Sequence, residues 1–209
     1  MKNIQLTIKP FSLWLSYNIL SPHKIQELLP DGMKLAKVKI LQEDKHATHK
    51  LMYNCYNLDS FWMKGARLEI MTIAKKDDQL HFVVLDCITN TMQWNPIDGI
   101  EGPNGVIKFS YKNELLNYNI LRQKEFLDIS GIALGITNMT KDFAVESNYA
   151  CYFKNADWPV RLKFNEEQIM TPVRKLRLLN IKNDFWSKFR YKKPSHVFFH
   201  EHPMVFKTY

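Results

Sequence analysis

Apolar and polar positions alternate along much of this chain with a period of two, the spacing of strands rather than of helices. The clearest stretch runs from Arg67 to Asn95, RLEIMTIAKKDDQLHFVVLDCITNTMQWN. It predicts two long strands joined by the turn Lys76-Asp77-Asp78, followed by a polar and aromatic segment. The first strand places Arg67, Glu69, Met71 and Ile73 on one face and Leu68, Ile70, Thr72 and Ala74 on the other. A charged pair on a strand with two mostly apolar faces marks either a solvated edge or a buried ionic site. Burial is costly for each ion unless the pair is well made.

The same reading predicts further elements. Phe11, Leu13, Leu15 and Tyr17 share one face of a strand within 4–18. Ser21 and Pro22 supply an N-cap and a first-turn proline, and Ile25, Leu28 and Leu29 continue at helical spacing until Pro30-Asp31-Gly32. Ala36, Val38 and Ile40 alternate with Lys37 and Lys39 in a strand, and 42–48 reads as a loop. Ile107, Phe109 and Tyr111 alternate within 105–111, and the turn Lys112-Asn113-Glu114 leads into a partner strand at 115–121. Further strands are expected at 124–130, 143–153, 159–164 and 196–206, with the turn Asp157-Trp158-Pro159 between the second and third of these. Beyond 21–29, helix is plausible only at 166–170 and in part of 173–190. The pattern predicts a mainly β (α+β) fold: one antiparallel, β-barrel-like domain over 1–209, with a few short helices enclosing a pocket.

Composition narrows the class. With 209 residues, 45% apolar and 13% aromatic, the chain can bury a substantial core. No apolar run is long enough for a transmembrane helix, and the N-terminus lacks the apolar centre of a signal peptide. Cys55, Cys87 and Cys151 are widely spaced and form no CxxC pair, so they read as reduced thiols of a cytoplasmic protein. Charge is uneven: eight cations and one carboxylate between Arg174 and Lys193 carry +7 of the net +8. Phe185, Trp186, Phe189 and Tyr191 interleave with them. That basic-aromatic element suits an anionic partner, nucleic acid or membrane surface, or equally an amphipathic element docked on the domain. The rest of the chain is near neutral, which argues against a nucleic-acid-coating protein. With seven glycines and no GxSxG, P-loop or GxGxxG motif, a nucleotide-dependent enzyme of a common fold is disfavoured.

Candidate chemistry lies in three places. Glu69 and Arg67 come first: in a pocket the carboxylate acts as acid or base and the guanidinium holds an acidic group. Asp86, inside the apolar run FVVLDCI, needs a hydrogen-bonding partner, and Asn90, Trp94 and Asn95 follow as ligand-lining groups or as a capped strand end. His200 and His202 come second, weak metal candidates that share a face in an extended strand, with His196 earlier on that face. His46 and His49 fit this test less well. The basic tract is third. No cofactor is assigned, and homo-oligomerisation is left open.

The pieces FSLWLSYNI (11–19), KIQELLPDGMKLAKVKI (24–40), RLEIMTIA (67–74) and HFVVLD (81–86) together resemble the acetoacetate decarboxylase-like superfamily, including its DUF2071-type relatives. The likeness covers about the first half of the chain. It implies a β-barrel-like fold around a mostly apolar pocket with polar groups at its base, and a small organic acid or carbonyl compound as ligand. In the decarboxylase, a lysine activated by a second lysine forms a Schiff base with a keto acid. That pair should follow the Phe-x-x-Leu-Asp strand, where this chain has NTMQWN (90–95). The family's arginine near the end of the first strand is missing too, with Asn18 in its neighbourhood. The resemblance therefore implies an enzyme of the lyase class that works by acid/base chemistry at Glu69 rather than by Schiff-base decarboxylation. A binding protein of the same fold is the alternative.

Overall fold

A computed structural model of the chain describes residues 5–59, 64–95, 99–140, 150–153, 160–164 and 172–208, with side chains for 5–59, 64–92, 102–140 and 172–205. Its strands are β1 (Gln5–Ile8), β2 (Ser12–Asn18), β3 (Lys34–Leu35), β4 (Lys37–Val38), β5 (Thr48–Asp59), β6 (Lys64–Lys76), β7 (Gln79–Thr89), β8 (Gln93–Asn95) and β9 (Gly99–Glu101). They continue with β10 (Val106–Lys112), β11 (Leu115–Arg122), β12 (Glu125–Thr137), β13 (Ala150–Phe153), β14 (Val160–Phe164), β15 (Val173–Asn183), β16 (His196–His200) and β17 (Met204–Thr208). One short α-helix, α1 (Pro22–Gln26), interrupts them among the described residues.

Apart from the β8–β9 pair, the strands form one sheet whose path starts at β10 and ends at β3. The sheet is mostly antiparallel, the β7–β13 pairing being parallel. It is barrel-like, as expected, but it is not a closed barrel. Within it β5 pairs with β1 and β2 along one edge and with β6 along the other.

The two predicted hairpins are present, and their turns explain them. Asp77 and Asp78 take φ of 48° and 62°, and Asn113 and Glu114 take 51° and 62°, the left-handed pairs of a type I′ turn. Other expectations need correction. Residues 173–183 form β15 instead of a helix, because Leu176 packs into the core and the backbone pairs with both β12 and β16. The single strand expected over 196–206 is two strands, parted at Glu201–Pro203, as suits a proline with no N–H to donate. The strand within 4–18 is also split, by Phe11 at φ 71°. The helix at 166–170 lies outside the described residues.

The sheet is buried on both faces. One face carries Leu13, Leu15, Leu51, Tyr53, Leu68 and Ile70, packed beneath the β10–β12 hairpins. The other carries Trp14, Met52, Met71, Val84 and Phe198. A register shift between Ile70 and Met71, at Leu85 of β7, is a β-bulge that lets Leu85 and Asp86 both serve the first of these faces.

Candidate functional site

Strand register decides which polar side chains meet. Glu69 lies directly across from Asn54 of β5 and Cys87 of β7, and Trp14 of β2 lies across from Asn54. Arg67 lies across from Tyr56 and Thr89. Directly opposed residues point to the same face, so these form two adjacent rows over neighbouring strands. Ser12, opposite His200 in the β2–β16 pair, donates a hydrogen bond to Asn54 Oδ1 at 3.0 Å and so joins the rows. The result is a polar band of Ser12, Asn54, Tyr56, Arg67, Glu69 and His200. It lies between the Trp14–Met52–Phe198 cluster and a smaller one of Ile8, Leu58 and Met204, which Tyr56 joins to the band.

The chemistry centres on Glu69. Tyr56 Oη donates to its Oε1 at 2.6 Å, a short bond that strengthens when the carboxyl is ionised. Burial pushes the Glu69 carboxyl above its usual range, opposed by the Tyr56 hydroxyl and the Arg67 charge. Arg67 is itself buried, and the neighbouring Tyr56, Cys87 and Glu69 hold its guanidinium charged against that burial. Burial also holds the Tyr56 phenol well above its ordinary value, so it stays protonated and donates a hydrogen bond at neutral pH. His200 is 7% exposed, and burial with the nearby His202 lowers its imidazole to about 4, so it is neutral in the band. A carboxyl raised above its usual range, a neutral phenol and a fixed cation on one buried face are the kinds of group that proton transfer and anion binding use.

Sequence expectations divide here. Glu69 and Arg67 are brought together. Asp86 is not with them: it lies across from Ile70 on the opposite face. There Arg122 Nη1 and Nη2 each donate to one of its oxygens at 2.7 Å, and Trp186 Nε1 donates at 2.9 Å. Asn90 is exposed and braces backbone: its Oδ1 accepts Ala66 N–H at 2.8 Å and its Nδ2 donates to Ile107 O at 3.4 Å. Trp94 and Asn95 lie in β8, paired with β9, and their side chains fall outside the described residues. His200 and His202 do not make a pair on one strand, since β16 ends at His200 and His202 is exposed beyond it. No cluster of three metal-ligating residues occurs among the described residues. A groove of about 460 Å³ lined by Pro10, Phe11, Leu58, Gly65 and Phe109 contains none of the band.

Tyr56, Asn54 and Ser12 of this band were not singled out from the sequence, and His200 was considered there only as a weak metal candidate. β5 carries two of them, and its run KLMYNCYNLD, free of glycine and proline, was a usable strand signal.

The basic tract is partly consumed internally. Arg190 is 4% exposed, donates Nε to Tyr53 Oη at 2.9 Å and stacks on the Tyr17 ring 4.2 Å away. Arg174 pairs with Glu201 at 2.8 Å, and Lys175 pairs with Glu43.

The chain has the fold of acetoacetate decarboxylase-like enzymes. It superimposes on the enduracididine biosynthesis enzyme MppR with a TM-score of 0.60 at 9% identity, covering 99% of this chain and 85% of that one. Against acetoacetate decarboxylase from Legionella pneumophila the TM-score is 0.55 at 10% identity, over 97% and 84% of the two chains. An acetoacetate decarboxylase-like enzyme from Sphingomonas wittichii gives 0.53 at 9% identity, over 100% and 92%. MppR has also been solved in complex with pyruvate. No family model matches the sequence, and neither does any curated protein. No helix among the described residues is long and apolar enough to cross a membrane.

Proposed function

We propose that this protein is an enzyme that moves a proton on a small organic acid or carbonyl compound bound against the polar band. The observation that carries this reading is the Tyr56–Glu69 bond beside buried Arg67. In this scheme Arg67 holds the substrate carboxylate, Glu69 takes or returns a proton at the carbon next to the carbonyl, and Tyr56 orients the carboxyl. The fold shared with MppR, solved with pyruvate, supports a small oxo acid as ligand. Schiff-base decarboxylation is not part of the scheme, because NTMQWN occupies 90–95.

The test is exchange of the α-hydrogens of pyruvate and acetoacetate with deuterated water, followed by NMR. The native protein should accelerate exchange and Glu69→Gln should not, while both bind the acid by calorimetry. Binding without exchange in either protein would favour a ligand-binding protein of the same fold. Equal exchange by both would remove Glu69 from the chemistry.

A further inference from the structure

At the far end of β5 from Glu69, a second group of polar side chains meets, and the proton-transfer scheme uses none of it. Ser195 Oγ lies 3.0 Å from His196 Nδ1, and the other ring nitrogen, Nε2, lies 2.6 Å from Asp44 Oδ1. Asp44 is fixed from behind, its Oδ2 accepting Ile40 N–H at 2.8 Å and Leu41 N–H at 3.2 Å. Lys50, 4% exposed, donates Nζ to Ser195 Oγ at 3.0 Å and to Asn18 Oδ1 at 2.9 Å. The Ser195 hydroxyl has a second acceptor, the Ser16 carbonyl at 2.9 Å. Ser195 is itself exposed, whereas the His196 and Asp44 side chains are only 13% and 12% exposed. A reachable hydroxyl, a sheltered imidazole and a fixed carboxylate in hydrogen-bonded order are the parts of an activated nucleophile. A buried ammonium beside the oxygen adds the charge that such a site needs.

We propose that Ser195, His196 and Asp44 form a nucleophilic relay that accepts the acyl group of small carboxylic esters, with Lys50 stabilising the oxyanion. Ser195 Oγ attacks the ester carbon and its proton passes to His196 Nδ1. Asp44, bonded at Nε2, orients the ring and balances the imidazolium. When the tetrahedral adduct collapses, the carbon–oxygen bond to the alcohol breaks and the alcohol leaves with the Nδ1 proton. Water repeats the sequence on the acyl-serine and releases the carboxylic acid, which restores the hydroxyl. The arrangement exchanges the usual roles of the two ring nitrogens, as the relay is defined by geometry and not by atom name. Burial holds the imidazole below its ordinary value, with Lys50 acting in the same direction and Asp44 and Glu43 against it, so His196 is available as a base at neutral pH.

The experiment uses the full chain, a fluorophosphonate probe and p-nitrophenyl acetate. The native protein should be labelled on the peptide that contains Ser195, and it should hydrolyse the ester at least 100-fold faster than Ser195→Ala. That variant takes one partner from buried Lys50 but leaves it Asn18, so it should still fold, which its circular dichroism spectrum checks. Ser195→Cys supplies a second readout: its alkylation by iodoacetamide should follow the titration of His196, below the free-thiol range, and lose that limb in Ser195→Cys/His196→Gln. Labelling that persists in Ser195→Ala, no labelling of the native protein, or a cysteine that alkylates as a free thiol would each overturn the proposal.

Discussion

Asp86 accepts three hydrogen bonds, two from the Arg122 guanidinium and one from the Trp186 indole, whereas among the described residues Glu69 accepts one, from Tyr56. The two carboxylates belong to the paired strands of a single hairpin and face opposite sides of the sheet. Asp86 has its lone pairs spoken for by a bidentate fork and an indole, so it ties β7 to the β11–β12 turn and the Trp186 segment. Glu69 keeps acceptor capacity, and its burial favours the protonated form. A carboxylate in a core run is thus a weak sign of function until its partners are known.

The largest expected difference concerns turnover. Glu69→Gln should slow α-hydrogen exchange by roughly 10²- to 10⁴-fold, while Asp86→Asn should leave it within a few-fold. The Glu69 variant should also alter stability with a defined sign. The native carboxyl is raised above 4.5, so its contribution is complete below that pH and is lost as pH rises through the folded value. Urea titrations above pH 4.5 should therefore find Glu69→Gln losing less stability than the native chain. Next, Asp86→Asn should cost about 3 kcal/mol in the same titrations, because Arg122 loses its bidentate partner at a site about one-fifth exposed. A neutral result would make Asp86 a better candidate for function than the geometry allows.

His200 comes third. Its imidazole is lowered from 6.5 to about 4, so its contribution is present above 6.5 and lost as pH falls toward 4. His200→Gln should flatten stability over that window, by at most about 3 kcal/mol. The smallest effect is expected from Tyr56→Phe. It should cost about tenfold in exchange, near 1.4 kcal/mol, and move the acidic limb of the rate profile upward, because the lost bond had been lowering the Glu69 carboxyl. An unmoved limb would show that a group other than Glu69 sets it.

What could be read without coordinates follows from range along the chain. The faces of β6 were legible because alternation there is local, and Met71 and Ile73 do part from Leu68 and Ile70 between the two cores. The hairpin turns were legible from Asp77-Asp78 and Asn113-Glu114. The face of Asp86 was not, because a single bulged residue, Leu85, resets the alternation and leaves no mark in composition. β5 went unread because it is buried on both faces, and Asn54 and Tyr56 break its apolar run. His200 joins the band only through pairing across β2, a contact that no local pattern contains.

The position of β5 carries one more consequence, in the time domain. Leu51–Cys55 have a strand on either side and apolar layers above and below, so their amides reach water only through the rarest openings of the sheet. Deuterium should enter that segment last, and Asn54, the neighbour of Glu69 across the strands, sits within it. Glu69, paired across from that slowest-breathing backbone, is thereby held in a fixed geometry on its Asn54 side.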